Sequence, residues 1–229
     1  MRSFLGTVSR YVYRALFLYG ATPLRFGSTV LAIAHVALVA LMTKEGNLLG
    51  LLVATAALVA IYATCGMPKL PLYAAILASI PGAWMGVTTL VLELASPHPD
   101  LVRCVSVFAR YTLLSLNALY AIHATNITEL ASALKRVSRS ASLVPLAIAR
   151  MGMLVREVAD MCDVHKLKGV KTSRTLAMAL VRGEEVAELM EEGLWVKSLR
   201  FEPRAIYSKK GLILQLALLF VDALTFVIT

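Results

Sequence analysis

The sequence predicts an all-α fold: a polytopic membrane helical bundle of about five transmembrane helices, with two or three amphipathic helices outside the bilayer. Three observations predict it. Hydrophobic residues make up 59% of the 229 residues and charged residues only 16%, with a mean hydropathy of +0.74. Soluble domains are about 45–50% apolar and about 25% charged. Five stretches carry almost no charge over roughly the length of a span, which needs about 20 mostly apolar residues. Finally, 25 of the 37 charged side chains lie in residues 129–210. A soluble chain this apolar has too little polar surface to cover itself. An ordinary soluble enzyme is therefore excluded, and so is a disordered chain.

The net charge is +9, and basic cytoplasmic loops account for it better than nucleic acid does. The basic patches carry little interleaved aromatic surface, so no nucleic-acid partner is expected. Cys65, Cys104 and Cys162 are far apart and odd in number, which gives neither a disulfide framework nor zinc spacing. Arg2, Arg10 and Arg14 are spread along the first residues, so no cleavable signal is expected there.

The five runs cover residues 26–43, 46–68, 70–92, 111–128 and 211–229. His35 is the ionisable residue of the first run and Asp222 that of the last. Pro81-Gly82 lies inside the third and predicts a kink. Arg110 precedes the fourth, whose helix should begin near Leu101, after the breaker cluster SPHPD. The basic bias orients the chain, with Arg2, Arg10, Arg14 and Arg25 in the cytoplasm and residues 129–210 on the same side. This gives three segments: membrane helices over 1–125, a cytoplasmic region over 126–210, and a last transmembrane helix over 211–229.

Three helices are expected in the cytoplasmic region. The first opens at Asn126, where Asn126-Ile-Thr-Glu129 fits a capping box. Its stripe is Ile127, Leu130, Leu134 and Val137. The second runs from about Ser142 to Lys168 and stops at Gly169. Arg156, Asp160 and Asp163 share one of its sides. The third starts at Thr172 or Ser173 and is expected to end at Gly193, with Leu176, Leu180, Ala187, Met190 and Leu194 as its stripe. Glu184, Glu185, Glu188, Glu191 and Glu192 make its far end acidic, where the helix dipole disfavours carboxylates by about 0.3–1 kcal/mol each. A helix end docked on a basic partner gains from that arrangement; a solvated one does not.

From about Arg110 onward the layout resembles the transmembrane T component of energy-coupling factor transporters. The segment ATNITELASALKRV, residues 124–137, carries Thr125, Glu129, Leu130, Ala133 and Leu134 at the spacing of that family. Pro145 and Arg156-Glu157 follow. HKLKG (165–169) and AELMEEGLW (187–195) then fall where the family has its two Ala-Arg-Gly-like motifs. The N-terminal helices match only in number and hydrophobicity. Lys168 stands where the family has arginine, which keeps the charge and loses the planar fork. At the second motif either Glu192 replaces the arginine or the register is offset by one.

The resemblance implies a coupling subunit of an importer for a vitamin or for cobalt or nickel ions. It implies as partners two ABC-type ATPase subunits, a small membrane substrate-binding subunit and the lipid bilayer. It implies ATPase docking through Lys166, Lys168, Gly169, Glu191, Glu192 and Gly193. Leu130, Leu134, Arg156, Leu176, Leu180 and Met190 would form the coupling-helix interface. No catalytic motif, cofactor or metal site is read in the chain, so ATP would be bound by other subunits. Two alternatives stay open. One is a stand-alone carrier or channel. The other is a membrane-embedded enzyme using Arg110, Asn117, His123 and Asp222. Asp222 is expected to pair with an arginine such as Arg110 or to lie near the outer interface, and His35 to be a packing residue.

Overall fold

The computed structural model describes residues 4–16, 22–96, 99–136, 144–198 and 204–228. The described residues form nine α-helices and one 3-10 turn, with no strand among them. The helices are α1 (Phe4–Leu16), α2 (Thr29–Glu45), α3 (Leu48–Thr64), α4 (Leu70–Leu94), α5 (Leu101–Ala124), α6 (Ile127–Lys135), α7 (Val144–Leu167), α8 (Thr172–Ser198) and α9 (Lys209–Ile228); the turn is Pro23–Phe26. The chain divides into two compact units. One holds Leu18–Asn126 and Tyr207–Thr229, and the other Met1–Phe17 and Ile127–Ile206.

The first unit contains α2 to α5 and α9. Local chemistry sets its helix ends. Gly46, at φ +79°, takes the left-handed conformation that closes α2. Asn47 then caps α3, its side-chain oxygen accepting from the Gly50 N–H at 2.7 Å. Pro71 stands in the first turn of α4, where a missing N–H costs nothing. Asp100 caps α5 by accepting from the N–H groups of Val102 and Arg103. The α4–α5 turn is pinned by Glu93, which accepts from the Arg103 guanidinium at 2.9 Å and from the Asp100 N–H at 3.1 Å.

Among the described residues, three helices are long and apolar enough to cross a membrane: α4 with 25 residues, α5 with 24 and α9 with 20. The first two uncharged runs of the sequence become α2 and α3, each 17 residues long. At 1.5 Å per residue each is about 26 Å, a little under the roughly 30 Å hydrocarbon core. The cause is the Gly46-Asn47 stop-and-cap pair, which takes residues from both.

Helices α4 and α5 meet along a row of small residues. Ala74, Ala78, Gly82 and Gly86 recur every four positions, hence along one face. Ala74, Ala78 and Gly82 are buried. A side chain at Gly82 would collide with Thr112 and the Phe108 carbonyl, and one at Gly86 with Phe108. The Pro81-Gly82 pair therefore marks a close crossing inside an unbroken α4. Without water to expel between lipid-facing helices, such backbone proximity is a main source of association.

One apolar cluster of this unit joins Leu24, Leu58, Tyr62, Tyr120, Ala124 and Leu218, and another joins Val39, Met42, Leu51 and Ala54. Where α9 starts, Gly211 lies against the Pro23 carbonyl, and the Gln215 side-chain oxygen accepts from the Ser28 N–H at 2.6 Å. Asn126 belongs to the same corner: its side-chain amide donates to the Gly27 carbonyl at 2.9 Å, and its N–H donates to Thr29 Oγ1 at 3.0 Å.

The second unit contains α1, α6, α7 and α8. Helix α1 packs on α7 through Gly6, which leaves room for the Asp163 side chain and the Ala159 carbonyl. Ala159 and Cys162 are buried on α7, and Ala131 on α6. Leu130 and Leu134 of α6 are half-buried.

Substituting Gly82→Val is expected to destabilise the detergent-solubilised chain by about 1–3 kcal/mol through overpacking, read as a lowered thermal midpoint. Trp84→Leu, at an exposed position on the same helix, should leave the midpoint nearly unchanged.

Candidate functional site

The second unit presents a helical hairpin. Helix α7 ends with Gly169 at φ +67°. The Gly169 N–H donates to the Lys166 carbonyl and the Val170 N–H to the His165 carbonyl, the bond pair that ends a helix on a left-handed glycine. Helix α8 begins at Thr172, three residues after Gly169. Across the turn, the His165 imidazole and the Thr175 hydroxyl are 3.2 Å apart, with Thr175 buried. Farther along, the Arg182 guanidinium lies 3.6 Å from Glu157 and 2.9 Å from Glu185. Both carboxylates hold Arg182 more firmly protonated, led by the Glu185 hydrogen bond.

The hairpin tip is basic. Lys166, Lys168 and Gly169 are exposed there, together with Lys171 and Arg174. Leu167, between the two lysines, is 73% exposed. Lysines at the α7 C-terminus complement its dipole. Lys171 and Arg174 do the opposite, standing at the positive end of α8. A purely solvated tip gains nothing from those two charges; an acidic partner surface does. The sequence reading passed over both, although each flanks the Gly169 turn.

Helix α8 differs from its expected form. It continues through Gly193 to Ser198, so Gly193 is helical and the chain does not turn back there. Leu194 and Lys197 after it are good helix formers, no proline follows before Ser198, and one glycine in a helix costs only about 1 kcal/mol against alanine. Glu192 and Gly193 are exposed, as are Glu184, Glu185 and Glu188. Glu191 and Met190 lie in the same helix, but their side chains fall outside the described residues. Leu176 and Leu180 are 48% and 76% exposed, so the stripe assigned to α8 is not covered by α7. Arg156 is also exposed.

The far side of α7 carries an unforeseen contact. Arg10 of α1 donates to Asp160 at 3.0 Å and lies 2.7 Å from Asp163. The Asp160 hydrogen bond raises the Arg10 guanidinium above its ordinary value, with the charges of Asp163 and Asp160 adding to it. Of the Arg156, Asp160, Asp163 group, the two aspartates thus hold the N-terminal helix.

The first unit holds a separate polar cluster in its interior. His35 Nδ1 of α2 lies 2.6 Å from Asp222 Oδ2 of α9, with both side chains almost completely buried. His35 Nε2 lies 3.1 Å from Asn117 Oδ1 of α5. The Asn117 amide nitrogen donates to Thr55 Oγ1 of α3 and to the Leu113 carbonyl, each at 2.8 Å. Tyr120 sets its ring edge against the imidazole at 5.2 Å. Asp222 Oδ1 is buried without a hydrogen-bond partner. Asp222 therefore pairs with His35 and not with Arg110, whose guanidinium donates to Ser106 Oγ one turn away on its own helix. The expected enzyme-like grouping splits likewise. Asn117 and Asp222 share this cluster, while His123 sits 2.6 Å from the Tyr62 hydroxyl and Arg110 lies elsewhere.

No cluster of three or more His, Cys, Asp or Glu side chains suited to a metal ion occurs among the described residues. Cys65, Cys104 and Cys162 are free thiols. Burial raises the Cys162 thiol above its ordinary range, and the nearby Asp163 charge adds to this. A raised value means less thiolate at neutral pH and slower alkylation, with the deficit shrinking as pH climbs. At pH 7.5, Cys162 should react with maleimide at least about tenfold more slowly than a cysteine placed at Lys168. The gap should narrow at pH 9.5 and close on unfolding. No family model, no curated protein and no solved structure matches this chain.

Proposed function

We propose that this chain is the transmembrane coupling subunit of an energy-coupling factor type importer. In this reading it passes the ATP-driven motion of two ABC-type ATPase subunits to a small membrane protein that binds a vitamin or a cobalt or nickel ion. The observation that carries the proposal is the α7–α8 hairpin, with 24- and 27-residue helices joined at a glycine-closed turn whose tip carries exposed Lys166, Lys168, Lys171 and Arg174. The family resemblance from about Arg110 onward supports it.

The mechanics follow from the parts. A push delivered at one end of a helix reaches the other end only if the rod is stiff and tied to its neighbour. The Gly169 turn, the His165–Thr175 contact and the Arg182–Glu157 pair tie the two rods together. Lys166, Lys168 and Gly169 form the ATPase contact. Glu191, Glu192 and Gly193 would form a second contact along α8 rather than at a turn. Leu176 and Leu180, exposed on α8, offer apolar surface to a partner. The hairpin lies in the cytoplasm, and about five helices, α2 to α5 and α9, sit in the bilayer. The apolar side chains exposed along α4, including Ile76, Ile80, Trp84 and Val87, meet lipid or the membrane partner. ATP binding and hydrolysis belong to the partner chains.

The buried His35–Asp222 pair favours a second reading, a stand-alone carrier, because ionisable groups in a membrane interior often mark transport paths. Solute uptake by vesicles holding only this chain would establish that reading and displace the first.

Co-expression of the tagged chain with the ABC-type ATPase pair from its own source should yield a complex that hydrolyses ATP. Lys168→Glu should reduce recovered ATPase about tenfold, the loss of one charge-assisted contact. Failure of the unaltered chain to retain any ATPase, or unchanged assembly and uptake with Lys168→Glu, would contradict the docking assignment.

A further inference from the structure

The cluster around Asp222 allows its protons to be counted. The Leu113 carbonyl can only accept, which fixes the Asn117 amide nitrogen toward it. Both Asn117 N–H groups are then used, on Leu113 and Thr55. The Asn117 oxygen must face His35, and it can only accept. His35 Nε2 is therefore a donor. What remains is the 2.6 Å contact between His35 Nδ1 and Asp222 Oδ2. Two lone pairs at that distance repel, so a proton lies between them. Whether it sits nearer nitrogen, as imidazolium and carboxylate, or nearer oxygen, as imidazole and carboxylic acid, the pair sums to zero charge.

The surroundings enforce that sum. His35 is 1% exposed and Asp222 0%. A lone anion buried there would cost several kcal/mol. Asp222 Oδ1 has no partner to share a negative charge. Asn117 and Tyr120 of α5 face the His35 imidazole, and Thr55 of α3 lies behind Asn117; all three are uncharged near neutral pH. Charged and further titratable groups on the same elements stand off along the helices. Arg110 is seven residues from Asn117, about 10 Å, and Lys44 and Glu45 are about 14 Å beyond His35. Lys209 and Lys210 precede Asp222 by about 18 Å, and Arg25 lies in the turn before α2. His123, about 9 Å past Asn117, is engaged with Tyr62.

We propose that His35 and Asp222 form one proton-binding site in the interior of the membrane unit. The pair takes a single proton from the aqueous phase, holds it between Nδ1 and Oδ2, and is neutral as a unit. The bound proton latches α9 to α2 and, through Asn117 and Thr55, to α5 and α3. This site is independent of the coupling role proposed above and stands or falls separately.

The test uses the full chain in lipid nanodiscs with 15N-labelled histidine, the His35 signals being assigned by their loss in His35→Ala. At pH 7 His35 should show a protonated Nε2 and a proton shared between Nδ1 and Asp222 Oδ2. In Asp222→Asn the amide can donate to Nδ1, so His35 should become neutral with a bare Nδ1. A wild-type His35 that has a bare Nε2 at pH 7, or that shares no proton with Asp222, would overturn the proposal. Stability supplies a second arm. His35→Ala strands Asp222 and should lower the thermal midpoint by about 10 °C. Adding Asp222→Asn removes the stranded charge and should restore much of that loss. Simple addition of the two effects would also overturn the proposal.

Discussion

Inside a bilayer a polar group finds its partner within the protein or pays for desolvation. The first unit answers that constraint in large part with one chain of contacts: Asp222 to His35, His35 to Asn117, and Asn117 to Thr55 and the Leu113 carbonyl. Four helices, α9, α2, α5 and α3, are cross-linked by it. An apolar core sets the distance between helices but discriminates weakly among rotations and slides. The polar chain adds directional contacts, which shifting any of these helices would break. The apolar clusters around Tyr62, Tyr120 and Leu218 and around Val39 and Met42 pack about that axis. The Gly82–Gly86 face adds α4 from the outside.

Much of this architecture was legible in the sequence, for local reasons. Helix α4 begins at Leu70 as its uncharged run does, because Pro71 permits a first turn and little else. Helix α5 starts at Leu101 because Asp100 supplies two hydrogen bonds to free N–H groups. Gly169 ends α7 because a left-handed residue is needed there. Long-range pairings were not legible. His35 and Asp222 are 187 positions apart, and each alone reads as an isolated polar residue in an apolar run. Arg10 and Asp160 are 150 apart, so α1 went unpredicted as a partner of α7. Gly193 misled for the opposite reason. Its local signature is a stop, yet the helix-forming residues after it carry α8 on to Ser198.

The hairpin of the second unit has a different logic. Its ties run between neighbouring elements, and much of its surface is left outward: four cations at the tip, glutamates along α8, and exposed Leu167, Leu176 and Leu180. A self-sufficient domain covers its leucines and places its charges to suit its helix dipoles. This hairpin does neither at Leu180 or Arg174. Those departures cost stability in the isolated chain, and a partner that covers the leucines and opposes the cations would offset the cost. That exposed, basic and apolar tip is what the proposed coupling role rests on.

The proposed docking of this tip on a soluble ATPase requires the tip to face the cytoplasm. The most direct measurement is the sidedness of residue 168. A Lys168→Cys chain in its native membrane is treated with a membrane-impermeant maleimide before and after permeabilisation, with the unaltered chain as control for Cys65, Cys104 and Cys162. The account predicts labelling at position 168 only after the membrane is opened. Labelling of intact cells would put the tip on the outer face, beyond the reach of any ATPase, and would contradict the account.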